Sequence, residues 1–285
     1  MKEKISVVVI GKNDDYGGNL THRFTHCLNI LTQSFDEIIY VDWKSNGKSL
    51  IEEVINNVEK KDNIKSYIVS EQDIQNNNPE YIDYSIVEVI ARNIGIRRAT
   101  NDWILVTNVD ILIENFDLSQ FNDHTLYTSA RIDVPQEFHL NHNDSVELLN
   151  SVKENKDRFK IQPDAVIDGK SVWDSGDVWS LVVGCGDFQF AHKKVWYGIK
   201  GFEESCGGRC YADSNLMKKG ALYFKIEKAN VPLYHLNHGT NKNSSPNEIL
   251  PMNDRIVCVN DFTDTSNSEN WGWNNYNLKT IYNDK

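Results

Sequence analysis

The stretch Trp103-Ile104-Leu105-Val106-Thr107-Asn108-Val109-Asp110 decides how the chain is read. Residues 103–107 form an apolar, β-favouring block short enough for a buried strand, and Asn108-Val109-Asp110 closes it with a polar bend. In open α/β sheets ligands gather beyond the carboxyl ends of strands, where short polar side chains face a crevice. Asn108 and Asp110 stand two residues apart, so on an extended backbone they project to the same side. An amide oxygen and a carboxylate so placed suit a hard divalent cation, which in turn suits phosphates. Taken alone, the same residues also describe a polar turn after a core strand, and the rest of the chain has to decide.

Upstream, residues 5–10 read as a central strand, apolar on both faces, followed by a polar segment at 11–18. A helical run at 19–33 carries Leu20, Phe24, Cys27, Leu28 and Leu31 on one face. A strand at 37–41 ends in Asp42-Trp43, a helix spans 47–60, and a third strand covers 65–69. The helical run that leads into the central stretch, 81–99, lines up Ile82, Ile86, Val89, Ile90 and Ile94, with Arg92 and Asn93 beside the stripe. This alternation predicts a right-handed, doubly wound α/β sheet, Rossmann-like and mostly parallel. Ligand residues then belong near 12–15, near Asp42, near 70–73 and near 108–110.

Downstream the regularity breaks. The pattern predicts a strand at 126–132, a helix at 144–154, an irregular segment at 159–176, and Gly184-Cys185-Gly186-Asp187-Phe188 inside the run 181–190. A Gly-rich loop after 193–202, a short helix at 211–219, a strand at 221–226 and a strand-like run at 231–238 follow. Residues 260–285 are polar apart from Trp271, Trp273 and Tyr276 and read as a tail wrapped over a surface.

At 285 residues the chain has room to bury a core without staples. Its formal net charge of -11 argues against a nucleic-acid partner, although a cation can still bring in a nucleotide. No apolar run reaches the length of a membrane span, and Met-Lys-Glu-Lys leads straight into a strand rather than a signal core. The expectation is a soluble, cytoplasmic protein with no integral membrane segment. Five cysteines make no disulfide framework, so reduced thiols are expected, and Cys206 and Cys210 lack the second pair that a structural zinc would need. Neither a Walker loop nor a Gly-x-Gly-x-x-Gly follows the first strand, so a bound diphosphate needs a cation.

His235 and His238 in Tyr234-His-Leu-Asn-His238 complete a metal site or serve a strand end structurally. Asp213 opens a short helix after a Gly-rich loop, where it acts as a general base or favours the helix dipole. Asp187 binds sugar hydroxyls or caps a turn, and Glu203 and Glu204 are further carboxylates. Trp173, Trp179, Trp196, Trp271 and Trp273 suit sugar stacking or a core.

The order of these pieces matters more than any one of them. A first strand with an Asn-Asp-Asp loop, Ala91-Arg92-Asn93-x-Gly95, a strand ending Thr-Asn-Val-Asp, then Gly-Asp-Phe, Gly-Phe-Glu-Glu, Ala-Asp-Ser-Asn-Leu and Tyr-His-Leu-Asn-His follow one another. Over residues 4–240 this series resembles the nucleotide-sugar-dependent glycosyltransferases of the GT-A fold, nearest the large family 2 type. The resemblance implies a GT-A-like sheet flanked by helices. A donor-binding half would span 1–110, an irregular acceptor-binding and catalytic half 111–259, and the tail 260–285 would be a lid. It implies Asp110, with His235 or His238, as ligands of Mn²⁺ or Mg²⁺ on the diphosphate of a UDP-sugar. Asn108 replaces the first acid of the family's Asp-x-Asp.

By the same resemblance, Asn13, Asp14, Asp15 and Asp42 would hold base and ribose. Arg92 and Asn93 would brace the diphosphate and the metal loop, and Asp187, Glu204 and Trp271 would face the glycan acceptor or the sugar. Asp213 would be the base of an inverting transfer, with Ala212 where relatives carry a glutamate. Two competing readings follow from the residues. One is a sugar- or nucleotide-binding protein of the same fold without catalysis, which the missing acids at 108 and 212 favour. The other is a zinc hydrolase built on His235 and His238.

Overall fold

The structure, a computed structural model, describes residues 3–162, 166, 167, 170, 171, 181, 186–206, 212–239 and 267–282. Trp173, Trp179, Gly184, Cys185, Cys210 and Cys258 lie outside them.

Strands β1 (Ile5–Gly11), β2 (Glu37–Trp43), β3 (Ile64–Val69) and β4 (Trp103–Thr107) lie parallel, in the spatial order β3-β2-β1-β4. β1 and β2 are buried at every position, as strands covered on both faces must be. The later strands are β5 (Ile111–Leu112), β6 (Thr125–Thr128), β7 (Arg131–Val134), β8 (Lys160–Gln162), β9 (Val166–Ile167), β10 (Lys170–Ser171), β11 (Gln189–His192), β12 (Lys225–Lys228), β13 (Tyr234–Leu236) and β14 (Lys279–Thr280). The main sheet runs β12-β6-β11-β4-β1-β2-β3-β14, with only β11 and β14 antiparallel to their neighbours. A smaller sheet, β5-β13-β7-β8, stands beside it, and β9 and β10 pair as a ribbon.

The helices are α1 (Leu20–Ser34), α2 (Leu50–Val54), α3 (Glu71–Asn77), α4 (Glu88–Arg98), α5 (Gln136–His139), α6 (Ser145–Asn155), α7 (Lys193–Gly198) and α8 (Ala212–Ala221). α1 puts Leu20, Phe24, Leu28 and Leu31 on one face of the main sheet, while α4 puts Val89, Ile90 and Ile94 on the other. α4 lies close to β1 because Gly95 leaves no side chain there: a Cβ would meet Val8 Cγ1 at 2.3 Å. The fold is therefore the expected α/β one, a mostly parallel sheet flanked by helices. No helix among the described residues is long and apolar enough to cross a membrane. Cys27 and Cys206 are both buried.

Several expected boundaries move, each for a local reason. The helix expected at 81–99 starts at Glu88, because Lys44 Nζ takes the carbonyl of Ile82 and Lys12 Nζ that of Ser85. The helix expected at 47–60 stops at Val54 and gives way to a 3₁₀ turn at Ile55–Asn57. There the Asn29 side chain of α1 binds the backbone of Asn57 and Glu59 and draws the chain away. Ser70 and Asp73, expected near a ligand, form instead a capping box on α3. The single strand expected at 126–132 is broken at Ser129, whose hydroxyl binds the carbonyls of Ala229 and Val231, and the chain passes from one sheet to the other. The tail does not form a surface lid at 267–282. It packs Trp271 and Trp273 into the core beside α4 and adds β14 to the edge of β3.

Candidate active site

β1 and β4 are neighbours in the sheet, but the chain leaves β1 towards β2 and reaches β4 only after crossing back. A crevice opens where the strand order reverses. The cleft beyond their carboxyl ends holds about 460 Å³ and is lined by Lys12, Asp14 and Tyr16 after β1, by Asn108 and Asp110 after β4, and by Asp187, His235 and His238. A larger cavity of about 1270 Å³ opens at the opposite, amino ends of the strands, lined by Lys4, Asp36, Lys61 and Asp117 among others. Among the described residues the group of side chains able to hold a metal ion lies at the smaller cleft.

Asp110, His235 and His238 bring one ligand atom each to within 4.8 Å of one another. Asp110 Oδ2 lies 3.2 Å from His238 Nε2 and 3.7 Å from His235 Nε2. The far nitrogens show how these rings are set. His235 Nδ1 lies 2.9 Å from Asp133 Oδ1, and His238 Nδ1 lies 2.8 Å from the carbonyl of Gly239. Both partners only accept hydrogen bonds, so Nδ1 carries the proton and the neutral ring turns its Nε2 lone pair towards Asp110. A carboxylate and two imidazole lone pairs facing one point fit a divalent cation.

Without a cation the His235 ring carries a second proton. Burial pulls the His235 imidazole down, yet its hydrogen bonds to Asp110 and Asp133 win and hold it at about 9. Burial likewise pushes the Asp110 carboxyl up, but the two imidazoles hold it well below the usual carboxylate range.

The loop after β1 closes over this cluster. Arg23, fully buried in α1, binds the carbonyls of Tyr16 and Gly18 and brings Nε to 3.7 Å from Asp110 Oδ2. Tyr16 meets the His238 ring edge-on at 5.1 Å. Gly17 has φ +74, and a Cβ there would fall 2.2 Å from His238 Nδ1, so only glycine fits.

On the other wall Asn108 is spent. Its Nδ2 donates to Asp187 Oδ1 at 2.5 Å and its Oδ1 accepts from Arg92 Nη2 at 3.0 Å. Arg92 thus braces the loop after β4 and also reaches Gln189 and Glu88. Asp187 takes a second bond from Arg131 Nη1 at 2.6 Å. Behind it Asp213 stands in the first turn of α8, against Gly186, where an added Cβ would come within 2.9 Å of the Asp213 Cβ. Burial raises the Asp213 carboxyl, Arg92 opposes the rise and Asp187 adds to it. Asp213 is not among the residues that line the cleft but stands one layer behind them, and its raised carboxyl is equipped to take a proton.

The structure draws Asp14, Asn108, Asp110, Asp187, His235 and His238 to the cleft. Others expected at the site have their polar atoms engaged elsewhere. Asp42 is fully buried, and its carboxylate serves Tyr40, Ser45 and the Leu50 amide at the turn into α2. Asn13 ties that same turn through Ser45 and Lys48, and Asp15 accepts from the Leu20 amide at the start of α1. Asn93 gives both ends of its amide to Phe202, with a further bond to Glu204. Glu204 also receives the Gly272 amide, and Trp271 is 2% exposed under Arg97. These last three knit the tail to α4.

Tyr16, Arg23, Arg131 and Asp133 belong to the site without being among the sequence candidates. Arg23 had a signal, since it falls at helical spacing between Leu20 and Cys27 on the buried face of α1. Arg131 and Asp133 alternate with Ile132 and Val134, as cleft-facing strand residues do.

No family model matches the chain, and no curated protein matches it. Among solved structures it is similar to the crystal structure of S. aureus TarS 1-349, with 14% identity and a TM-score of 0.48 over 82% of this chain and 60% of that one. The same figures hold for TarS 1-349 in complex with UDP. For the complex with UDP-GlcNAc the identity is 15% and the TM-score 0.48, over 85% of this chain and 61% of that one. The chain thus spans about three fifths of the length of these structures.

Proposed function

We propose that the chain is a metal-dependent glycosyltransferase that moves a sugar from a nucleoside diphosphate sugar, a UDP-sugar first among the candidates, to an acceptor hydroxyl with inversion. The observation that carries this reading is the convergence of Asp110, His235 and His238 at the cleft beyond β1 and β4. Asp14, Glu88, Asp110 and Asp187 line that cleft and outnumber the cations Lys12 and Arg131, so a diphosphate entering it alone would meet an excess of carboxylates. A Mn²⁺ or Mg²⁺ ion held by Asp110, His235 and His238 would supply the positive charge that a departing nucleoside diphosphate needs.

The chain's own residues do the rest. The loop after β1, pinned by Arg23, brings Asp14 and Tyr16 to the donor side of the cleft. Asp187, steadied by Asn108 on one oxygen and Arg131 on the other, accepts hydrogen bonds from sugar hydroxyls on its remaining lone pairs. Asp213 takes the proton of the acceptor hydroxyl as that oxygen bonds to the anomeric carbon. The bond from that carbon to the diphosphate oxygen breaks on the opposite face, and the nucleoside diphosphate leaves with the electron pair.

Release of UDP from a panel of UDP-sugars with Mn²⁺ tests the reading. Asp213→Asn should lower turnover by about 10²–10⁴-fold while UDP still raises the thermal midpoint as it does in the unaltered chain. Unchanged turnover in this variant would remove Asp213 as the base. UDP binding with no turnover on any donor would favour a binding protein of the same fold, the reading that Asn108 and Ala212 support.

A further inference from the structure

We propose that Asp133 and Arg131 are positioning residues that set His235 as a cation ligand and join the cation cluster to Asp187 in one closed ring. The inference rests on the reading that Asp110, His235 and His238 hold a divalent cation.

The ring follows from strand register. β7 pairs parallel with β13, and Asp133 is the partner of His235 across that pair. Arg131, two residues back on β7, lies on the same face as Asp133. Asp133 Oδ1 receives His235 Nδ1 at 2.9 Å and Arg131 Nε at 3.0 Å. The same guanidinium reaches Asp187 Oδ2 at 2.6 Å through Nη1. Asp187 Oδ1 receives Asn108, and Asn108 stands two residues before Asp110, whose Oδ2 faces His235 Nε2 at 3.7 Å. The path returns to its start without leaving the cleft wall.

Each link has a stated effect. A carboxylate accepts and never donates, so Asp133 fixes the His235 proton on Nδ1 and keeps Nε2 turned inward. Its charge also makes the imidazole a stronger ligand than a neutral acceptor would. The planar fork of Arg131 holds Asp133 in one orientation and separates two carboxylates that would otherwise repel. Lysine at 131 would keep the charge and lose the fork.

Titration of the full-length protein with Mn²⁺, followed by the electron paramagnetic resonance of the free ion, tests the proposal. Asp133→Asn should weaken Mn²⁺ binding by about ten- to hundred-fold, and Arg131→Lys should give a smaller loss in the same direction. In a His235→Gln background, Asp133→Asn should cost nothing further, because its effect runs through the imidazole. Thermal melts of every variant separate loss of the site from loss of the fold, and Asp133→Glu replaces Asp133→Asn should the latter not fold. Equal Mn²⁺ affinity in folded Asp133→Asn, or an undiminished loss in the His235→Gln background, would overturn the proposal and leave the cation reading standing. Failure of the unaltered chain to bind Mn²⁺ or Mg²⁺ would overturn both.

Discussion

Asn108 looks in the sequence like a degraded metal ligand, an amide where relatives of the resembled family carry an acid. In the structure it is a strut whose amide end needs both of its polarities, one donated to Asp187 and one offered to Arg92. Restoring the acid should therefore damage the site. Asn108→Asp would set two carboxylate oxygens face to face where a 2.5 Å hydrogen bond now stands, at a cost of about 1–3 kcal/mol. Lower turnover on UDP-sugars together with a lower thermal midpoint is the expected outcome, and a gain in turnover would contradict it. At this scale the sequence discloses which residues have the right chemistry but not which are already engaged. Asp42, Asn93 and Glu204 are as polar as Asp110, yet their oxygens are taken by Leu50, Phe202 and Gly272. That allocation is decided by contacts across 8 to 109 positions of chain, which no local pattern records.

At the scale of elements, the loop between β1 and α1 matters more than its length suggests. Gly17 and Gly18 have nearly the same φ, +74 and +75, but only at Gly17 would a Cβ meet anything, the His238 imidazole and the Gly239 carbonyl that holds it. The pair therefore separates backbone strain from displacement of the ring. Gly17→Ala and Gly18→Ala should each lose about 1–2 kcal/mol of stability from the left-handed conformation, while only Gly17→Ala weakens Mn²⁺ binding. Parallel melts and Mn²⁺ titrations check this, and equal affinities in the two variants would count against close contact between loop and ring. Period and composition made the first strands and α1 legible. They failed where a distant side chain captured a backbone group: Lys12 and Lys44 delay α4, Asn29 ends the helix that starts with α2, and Ser129 divides a strand between two sheets.

Across the whole molecule, buried imidazoles oppose one another in their response to pH. Burial pulls His235 down, but Asp110 and Asp133 hold it at about 9, above its unfolded value of about 6.5. Its contribution is full below that unfolded value and fades as the pH rises to about 9. Burial lowers His26 and His139 to about 4, so their contribution is full above about 6.5 and fades as the pH falls to about 4. The metal-free protein should melt highest near pH 6.5, and saturating Mn²⁺, which displaces the second proton of His235, should flatten the alkaline side. Melting curves across that range with and without the ion decide it, and an alkaline limb unmoved by Mn²⁺ would speak against His235 as a ligand. The parallel half of the sheet was readable from alternation alone. The antiparallel insertion of β11 and the edge position of β14 were not, since each depends on segments that meet only in the finished fold. Because β14 and the residues after it cover the outer side of β3, where Ser66 exchanges main-chain bonds with Ile281 and Tyr282, a chain growing from the ribosome exposes the main-chain groups of Ser66 until more than two hundred further residues have emerged. Synthesis of this protein thus passes through a long interval in which a nearly complete sheet still has an adhesive margin.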